Sequence, residues 1–237
     1  MGARARRGTD GGVRGRVTAT RALRTAFVLA VVTDLGCLAA GFRPGHLAAK
    51  PLLMLLLAAY AARSGGPRPL VAALLCGWAG DVLLLSDADP AFMAGMACFA
   101  AGHVCYLVLF RRLGRPHARA GLLVAGYAVA LVTLVALLWP GLPAGLRVPV
   151  AGYSALLTAM ACTAATRRGP AAGLGGALFV LSDTLIATGV AHWPQPPRPD
   201  FWIMLTYAAA QFLLVRGTLD ARPAPATTYR EMRSATP

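Results

Sequence analysis

Charge is scarce in this chain, and negative charge is scarcer still. Only 14% of the 237 residues are Asp, Glu, Lys or Arg, and 9 acids stand against 23 bases. A soluble domain carries roughly 25% charged residues. With 57% hydrophobic residues and a mean hydropathy of +0.60, a single water-facing globule of this size would leave much apolar side chain on its surface. Most soluble folds are excluded on that count. Lysine is missing except for Lys50, so the net charge of +14 is the work of arginine. Those arginines fall in short clusters between apolar runs instead of gathering on a folded polar surface, so no nucleic-acid partner is expected. Cys37, Cys76, Cys98, Cys105 and Cys162 all sit inside apolar runs without ligand-like spacing, which argues against a zinc site or a disulfide framework. Familiar catalytic signatures are missing too: there is no G-x-S-x-G elbow, no Walker loop and no H-E-x-x-H. Gly173, Gly175 and Gly176 lack the third glycine of a dinucleotide fingerprint and read as close helix packing.

What remains is a series of apolar runs of membrane-spanning length. A helix crossing the hydrocarbon core needs about 20 mostly apolar residues. Cutting at the Arg, Pro and Gly clusters gives eight spans, 24–42, 47–62, 70–85, 91–110, 119–139, 146–165, 171–191 and 201–217. The fold class is therefore all-α, a polytopic membrane protein of about eight transmembrane helices in one bundle. Residues 1–23 form a Gly- and Arg-rich tail without apolar periodicity, 24–217 the membrane domain and 218–237 a second loose tail. Loop arginines alternate in density: nineteen fall on one side, against Arg43, Arg147 and Arg198 on the other. The positive-inside rule then places both termini in the cytoplasm. The preference for Arg over Lys, with abundant Ala, Gly and Pro, suggests a bacterial cytoplasmic membrane. A cleaved signal peptide over the first span is set aside, because Asp34 interrupts the run and cleavage would leave an odd number of spans.

An ionisable side chain inside a span costs roughly 2.5–3.5 kcal/mol on insertion scales, so each is a functional candidate. They are Asp34, Lys50, Asp81, His103 and Asp183, accompanied by Tyr106, Ser182, Tyr207 and Gln211. Depths along the spans bring most of them to the centre and outer half of the bundle, as a polar cavity would require. His103 with Tyr106, Tyr207 with Gln211, and Trp78 with Asp81 are spaced to share helix faces. Pro51 fixes Lys50 at the mouth of its helix, and Asp81 is the carboxylate nearest to it in depth. Asp34, beside Thr33, reads as a bond to the neighbouring helix or to its own backbone. His103 suits either an interhelical donor or a site residue, and Lys50 either snorkels or pairs. Asp81 and Asp183 have stems too short to snorkel. Asp87 and Asp89 read as solvated loop residues, with Asp87 placed to cap the cavity mouth. Spans three and seven share a small-Asp-x-Leu pattern (Gly80 to Leu83, Ser182 to Leu185), and Phe99–His103 resembles Tyr207–Gln211 in the spans that follow, which hints at a four-span repeat with the site at its interface.

Two aspartates in different settings can divide into a proton donor and an ionised partner, the logic of acid-catalysed hydrolysis through an oxocarbenium-like state. Five segments then carry a resemblance: KPLLM from Lys50, GWAGDVLLL from Gly77, the Phe92, Gly95, Phe99, His103, Tyr106 run, LFVLSDTLIA from Leu178, and MLTYAAAQFLLVRG from Met204. Together, over about residues 47–217, they resemble the YhhN-like lysoplasmalogenase family. The resemblance implies an eight-helix membrane enzyme that hydrolyses the vinyl ether bond of lysoplasmalogens to a fatty aldehyde and a glycerophospho-alcohol. It also implies a lysophospholipid substrate met among membrane lipids and no cofactor or metal. Its polar positions appear here as Lys50, Asp81, His103, Tyr106, Ser182, Asp183, Tyr207 and Gln211, without departure. Asp81 and Asp183 are the expected catalytic pair, and the other six are expected to bind substrate. Two rival readings use the same residues: a small lipid or solute transporter with a midplane polar cluster, and a structural or lipid-sensing membrane protein.

Overall fold

The computed structural model of the chain describes residues 3–86, 88–114, 116 and 120–220. Asp87, Arg115, Arg119 and the tail from 221 onward lie outside the described residues. Among the described residues there are eight helices and no strands: α1 (Ala3–Ala40), α2 (Arg43–Arg63), α3 (Arg68–Leu83), α4 (Asp89–Leu113), α5 (Ala120–Leu138), α6 (Ala144–Arg167), α7 (Pro170–Val190) and α8 (Pro199–Asp220). Seven of them are long and apolar enough to cross a membrane. The exception is α3, whose sixteen residues rise only about 24 Å. It packs between α2 and α4 within the bundle.

Helix ends follow local chemistry. Pro44, Pro69, Pro90 and Pro170 stand in first turns, where the missing N–H costs nothing. Gly41, Gly65 and Gly169 turn the chain with positive φ. The largest departure from the sequence reading is at the N-terminus. In place of a loose tail over 1–23, α1 is already helical from Ala3. That stretch holds no proline, and its Ala and Arg are good helix formers that offset its glycines, so the helix extends back beyond the apolar span.

Consecutive helices pack against each other except α4 and α5, most closely in the pairs α3 with α4, α7 with α8, and α1 with α2, and α4 packs on α6 instead. Small residues make the close approaches possible. A Cβ on Gly175 would lie 2.9 Å from the Ala210 carbonyl oxygen, and one on Gly176 2.8 Å from Cα of Ala161. Glycines read from sequence as packing residues therefore do pack. The halves also echo each other, since α2 lies beside α8 as α6 lies beside α4. The echo is incomplete. Helix α1 packs on α8 as well as α2, whereas α5 leans chiefly on α6 and leaves Leu122, Val129 and Val132 exposed. The outer wall of the bundle is apolar, with Val28, Leu29, Val32, Val148 and Leu174 also exposed, as lipid rather than water requires.

The ends of α1 and α3 and the beginnings of α2 and α8 meet around one opening. Both termini consequently point toward the opposite end of the bundle. At that opposite end Arg168 is buried and donates to the carbonyl oxygens of Leu113, Gly217 and Thr218, tying the last turns of α4 and α8 to the α6–α7 junction.

Candidate active site

Asp81 lies two residues from the end of α3 and is buried, accepting a hydrogen bond from the Tyr207 hydroxyl at 2.9 Å. Tyr207 is reached in turn by the side-chain amide of Gln211 at 3.4 Å, and the Gln211 carbonyl oxygen accepts from Tyr106 at 2.7 Å. A continuous polar chain thus runs from α4 through α8 to α3. It passes where it does because Gly77 has no side chain: a Cβ there would lie 3.1 Å from the Tyr207 hydroxyl and 3.2 Å from the Gln211 amide nitrogen. Gly80, one turn further along, makes room for the ring of Phe99 in the same way.

Asp183 belongs to a second chain. It is half-buried on α7 and accepts from the hydroxyl of Tyr153 on α6. Nε2 of the buried His103, on α4, lies 3.0 Å from the same hydroxyl. Between the two chains stand the rings of Phe99, Phe179 and Tyr207, packed edge to face with centroids 5.4–6.5 Å apart. Phe179 also meets the edge of His103 at 4.8 Å. Asp81 and Asp183 are therefore not hydrogen-bonded to each other. An aromatic partition stands between them, across which the charge of Asp81 bears on Asp183, while Lys50 and the Asp34–His46 pair bear on Asp81.

Two cavities bring solvent-sized space to this core. One, of about 70 Å³, is mostly apolar and is lined by Phe92, Met96, Phe99, Tyr153 and Asp183. The other, of about 470 Å³, is the opening at the bundle end, lined by Arg43, His46, Lys50, Leu84, Arg198 and Asp200. Leu84 forms part of both walls. On its far side the smaller cavity shares Leu134, Thr158, Val180 and Thr184 with an apolar groove of about 490 Å³ beside α5. The three spaces lie side by side, from the cationic mouth through the Asp183 cavity to the groove beside α5, with Leu84 in the wall between the first two.

Of the eight residues expected at the site, Asp81, Tyr106, Tyr207 and Gln211 form one cluster, and His103 with Asp183 forms the other. Lys50 lines the mouth; α2 begins earlier than expected, which sets Lys50 seven residues in from its start. Ser182 stands apart. Its hydroxyl donates to the backbone carbonyl of Ile203 at 3.1 Å and fastens α7 to α8. The single cavity expected from the depths is in fact two polar chains with an aromatic partition between them, because Phe99 and Phe179 project into the same layer.

Sequence reasoning missed Tyr153 and His46. Tyr153 sits in an apolar run without a polar neighbour at helical spacing, and no sequence signal marks it. His46 is bound through Nδ1 to Asp34 at 2.8 Å across the α1–α2 turn, so of the two readings of Asp34 it is the bond to the neighbouring helix that forms. A buried carboxylate close in sequence to a histidine was the available signal.

The site and the fold together define a helical membrane bundle with two tyrosine-bonded carboxylates, Asp81 and Asp183, in its interior and a cationic opening at one end. The YhhN family model matches residues 45–218, and the chain belongs to the YhhN family. Among characterised relatives it is 36% identical to lysoplasmalogenase TMEM86B of Sus scrofa over 162 residues, 68% of each chain. It is 36% identical to the Homo sapiens protein of the same name over 165 residues, 69% of each. A lysoplasmalogenase of Mycobacterium bovis is 33% identical over 201 residues, covering 76% of this chain and 74% of that one. No solved structure matches the chain.

Proposed function

We propose that this protein is a lysoplasmalogenase-like membrane hydrolase. It adds water across the vinyl ether of a lysoplasmalogen and releases a fatty aldehyde and a glycerophospho-alcohol. The family and the relatives' names support the reaction, and the observation that carries it to this chain is Asp183, which lines an apolar cavity adjoining a lipid-side groove. An alkenyl chain fits such a space, and its reactive double bond then lies beside an acid. The relatives do not favour the transporter reading.

In the reaction a proton is added to the vinyl carbon distal to oxygen, leaving an oxocarbenium ion. Water attacks the carbon bearing the oxygen, and the resulting hemiacetal collapses to aldehyde and alcohol. Asp183, bonded through one oxygen to Tyr153, gives the proton from the other. Asp81, within reach of Lys50's charge, balances the cationic intermediate and guides water through the Tyr207 hydroxyl. Tyr106 and Gln211 hold Tyr207 in place, and His103 holds Tyr153. The arginine distribution supports a bacterial cytoplasmic membrane location with both termini in the cytoplasm.

The test is aldehyde release by the purified protein from a lysoplasmenyl lipid and from its saturated ether analogue. Aldehyde is expected from the first alone. Asp81→Asn and Asp183→Asn are each expected to lose about 100-fold or more in turnover while remaining folded. Near-normal turnover in both variants ends the assignment of the pair.

A further inference from the structure

The mouth cavity contains more positive charge than the reaction at Asp81 and Asp183 uses. Among the described residues, Arg43, Lys50 and Arg198 line it together with His46, against one carboxylate, Asp200. At about 470 Å³ it falls within the roughly 300–1,000 Å³ typical of small-molecule sites. His46 is set in the wall by its bond to Asp34, which is 1% exposed. With Nδ1 so engaged, Nε2 is the ring nitrogen available to a ligand. Arg198 is held there by an unusual backbone. Its φ of 54° lies in the left-handed region, which a residue with a Cβ seldom adopts unless its surroundings enforce it. The chain turns sharply at Arg198 just before α8, and the side chain lines the cavity.

Resting on the hydrolase reading, we infer that this cavity binds the phosphodiester head group of the lysolipid through Arg43, His46, Lys50 and Arg198. Arginine forks match phosphate oxygens in pairs, and the bundle end is where a bilayer's head groups lie. The reach also fits. In a lysoplasmalogen only the glycerol carbons separate the phosphate-bearing oxygen from the vinyl ether oxygen. In the protein, Leu84 alone is shared by the walls of the cationic mouth and the Asp183 cavity. A phosphate seated in the mouth therefore sets the vinyl ether at the carboxylates and sends the chain toward the α5 groove. The phosphate is thereby a specificity element for the substrate, on the bundle end opposite both termini.

The experiment separates binding from hydrolysis. A non-hydrolysable 1-alkyl-glycerophosphoethanolamine and the phosphate-free 1-alkylglycerol of equal chain length are titrated calorimetrically into the full-length protein in a phosphate-free nonionic detergent. Wild type is expected to bind the phospholipid at least tenfold more tightly. In the double variant Arg43→Gln with Arg198→Gly the two ligands are expected within threefold of each other. Glycine suits the positive φ at 198, so this variant removes the guanidinium without straining the turn. Arg147→Gln, at the same end of the bundle but outside the cavity, is expected to keep the full preference. Equal binding of the two lipids by wild type, or a preference that survives in the double variant, overturns the inference. So does free glycerophosphoethanolamine binding as tightly as the lipid, since the site would then serve a soluble phosphodiester. Aldehyde release is measured in parallel from the vinyl ether lipid. Its absence beside an intact phosphate preference removes the hydrolytic reading and leaves the head-group site standing.

Discussion

The hydroxyl of Tyr153 links His103 to Asp183 across three helices. A phenol has one proton, and it is given to Asp183, so Nε2 of His103 must be the donor to the phenolic oxygen. Nδ1 of His103 is then the bare nitrogen, and it is buried without a hydrogen-bond partner among the described residues. In the proposed mechanism the histidine therefore acts through the tyrosine as a positioning residue and does not itself carry the reacting proton.

Tyr153→Phe keeps the ring that packs against His103 at 5.4 Å and deletes both bonds of the hydroxyl, the one to Asp183 and the one from His103. A hydrogen bond to a charged or reacting group contributes about 1.5–3 kcal/mol, so kcat is expected to fall about 10- to 100-fold. KM and thermal stability should change little. Steady-state aldehyde release and a melting curve check this, and an unaltered kcat removes Tyr153 from the site.

Leu84 is the residue common to the mouth and the Asp183 cavity. Leu84→Trp places a larger ring in the passage without touching either carboxylate. The expected outcome is a drop of about tenfold or more in kcat/KM, as for other misplaced substrates, with the melting temperature retained. Kinetics on long- and short-chain substrates provide the measurement. Equal efficiency of variant and wild type means the substrate takes another route.

Helix boundaries and the inner acids were legible for the same reason: lipid leaves few ways to satisfy a polar group. Runs bounded by Arg, Pro and Gly mark helices because only a helix satisfies its backbone in hydrocarbon. Asp81 and Asp183 stand out because a short charged stem cannot escape to water. Ser182 passed the same filter and turned out to be a helix fastener, since a hydroxyl can bond a neighbouring backbone as readily as a substrate. Tyr153 was illegible because a tyrosine suits an apolar run whether or not its hydroxyl has work. The aromatic partition was hidden too, because it depends on how α4, α7 and α8 rotate against one another, and spacing along a single helix does not encode that. Arg167 and Arg168 were read as topology signals, yet Arg168 is also a buried staple.

Gly80 and Gly36 offer a contrast within one chain. A Cβ on Gly80 would come within 2.6 Å of the Phe99 ring, whereas one on Gly36 meets nothing within 4 Å. Gly80→Val is expected to cost about 1–3 kcal/mol by overpacking and to disturb Phe99 beside the site. Gly36→Ala is expected to be neutral or to stabilise by about 0.5–1 kcal/mol, because it removes glycine from a helix interior. Unfolding in mild detergent, followed by tryptophan fluorescence, compares the two, and a reversed order contradicts the packing described.

Arg168 has a different signature. Arg168→Gln leaves carbonyls of α4 and α8 without their charged donor and is expected to cost about 2–3 kcal/mol of stability. Turnover per folded molecule should stay as in wild type, because the guanidinium lies at the end of the bundle away from the mouth. A loss of turnover without a loss of stability contradicts this role.

The brevity of α3 has a chemical consequence. Because that helix stops at Leu83, the buried Asp81 lies within one turn of its end, beneath an opening wide enough for water. Hydrolysis consumes one water per bond cleaved, and an oily bundle would ordinarily starve such a reaction. Here the curtailed helix puts Leu84 and Leu85 in the wall of that opening with Asp81 one turn below them, so solvent at the bundle end stands nearer this carboxylate than it would above a full-length span.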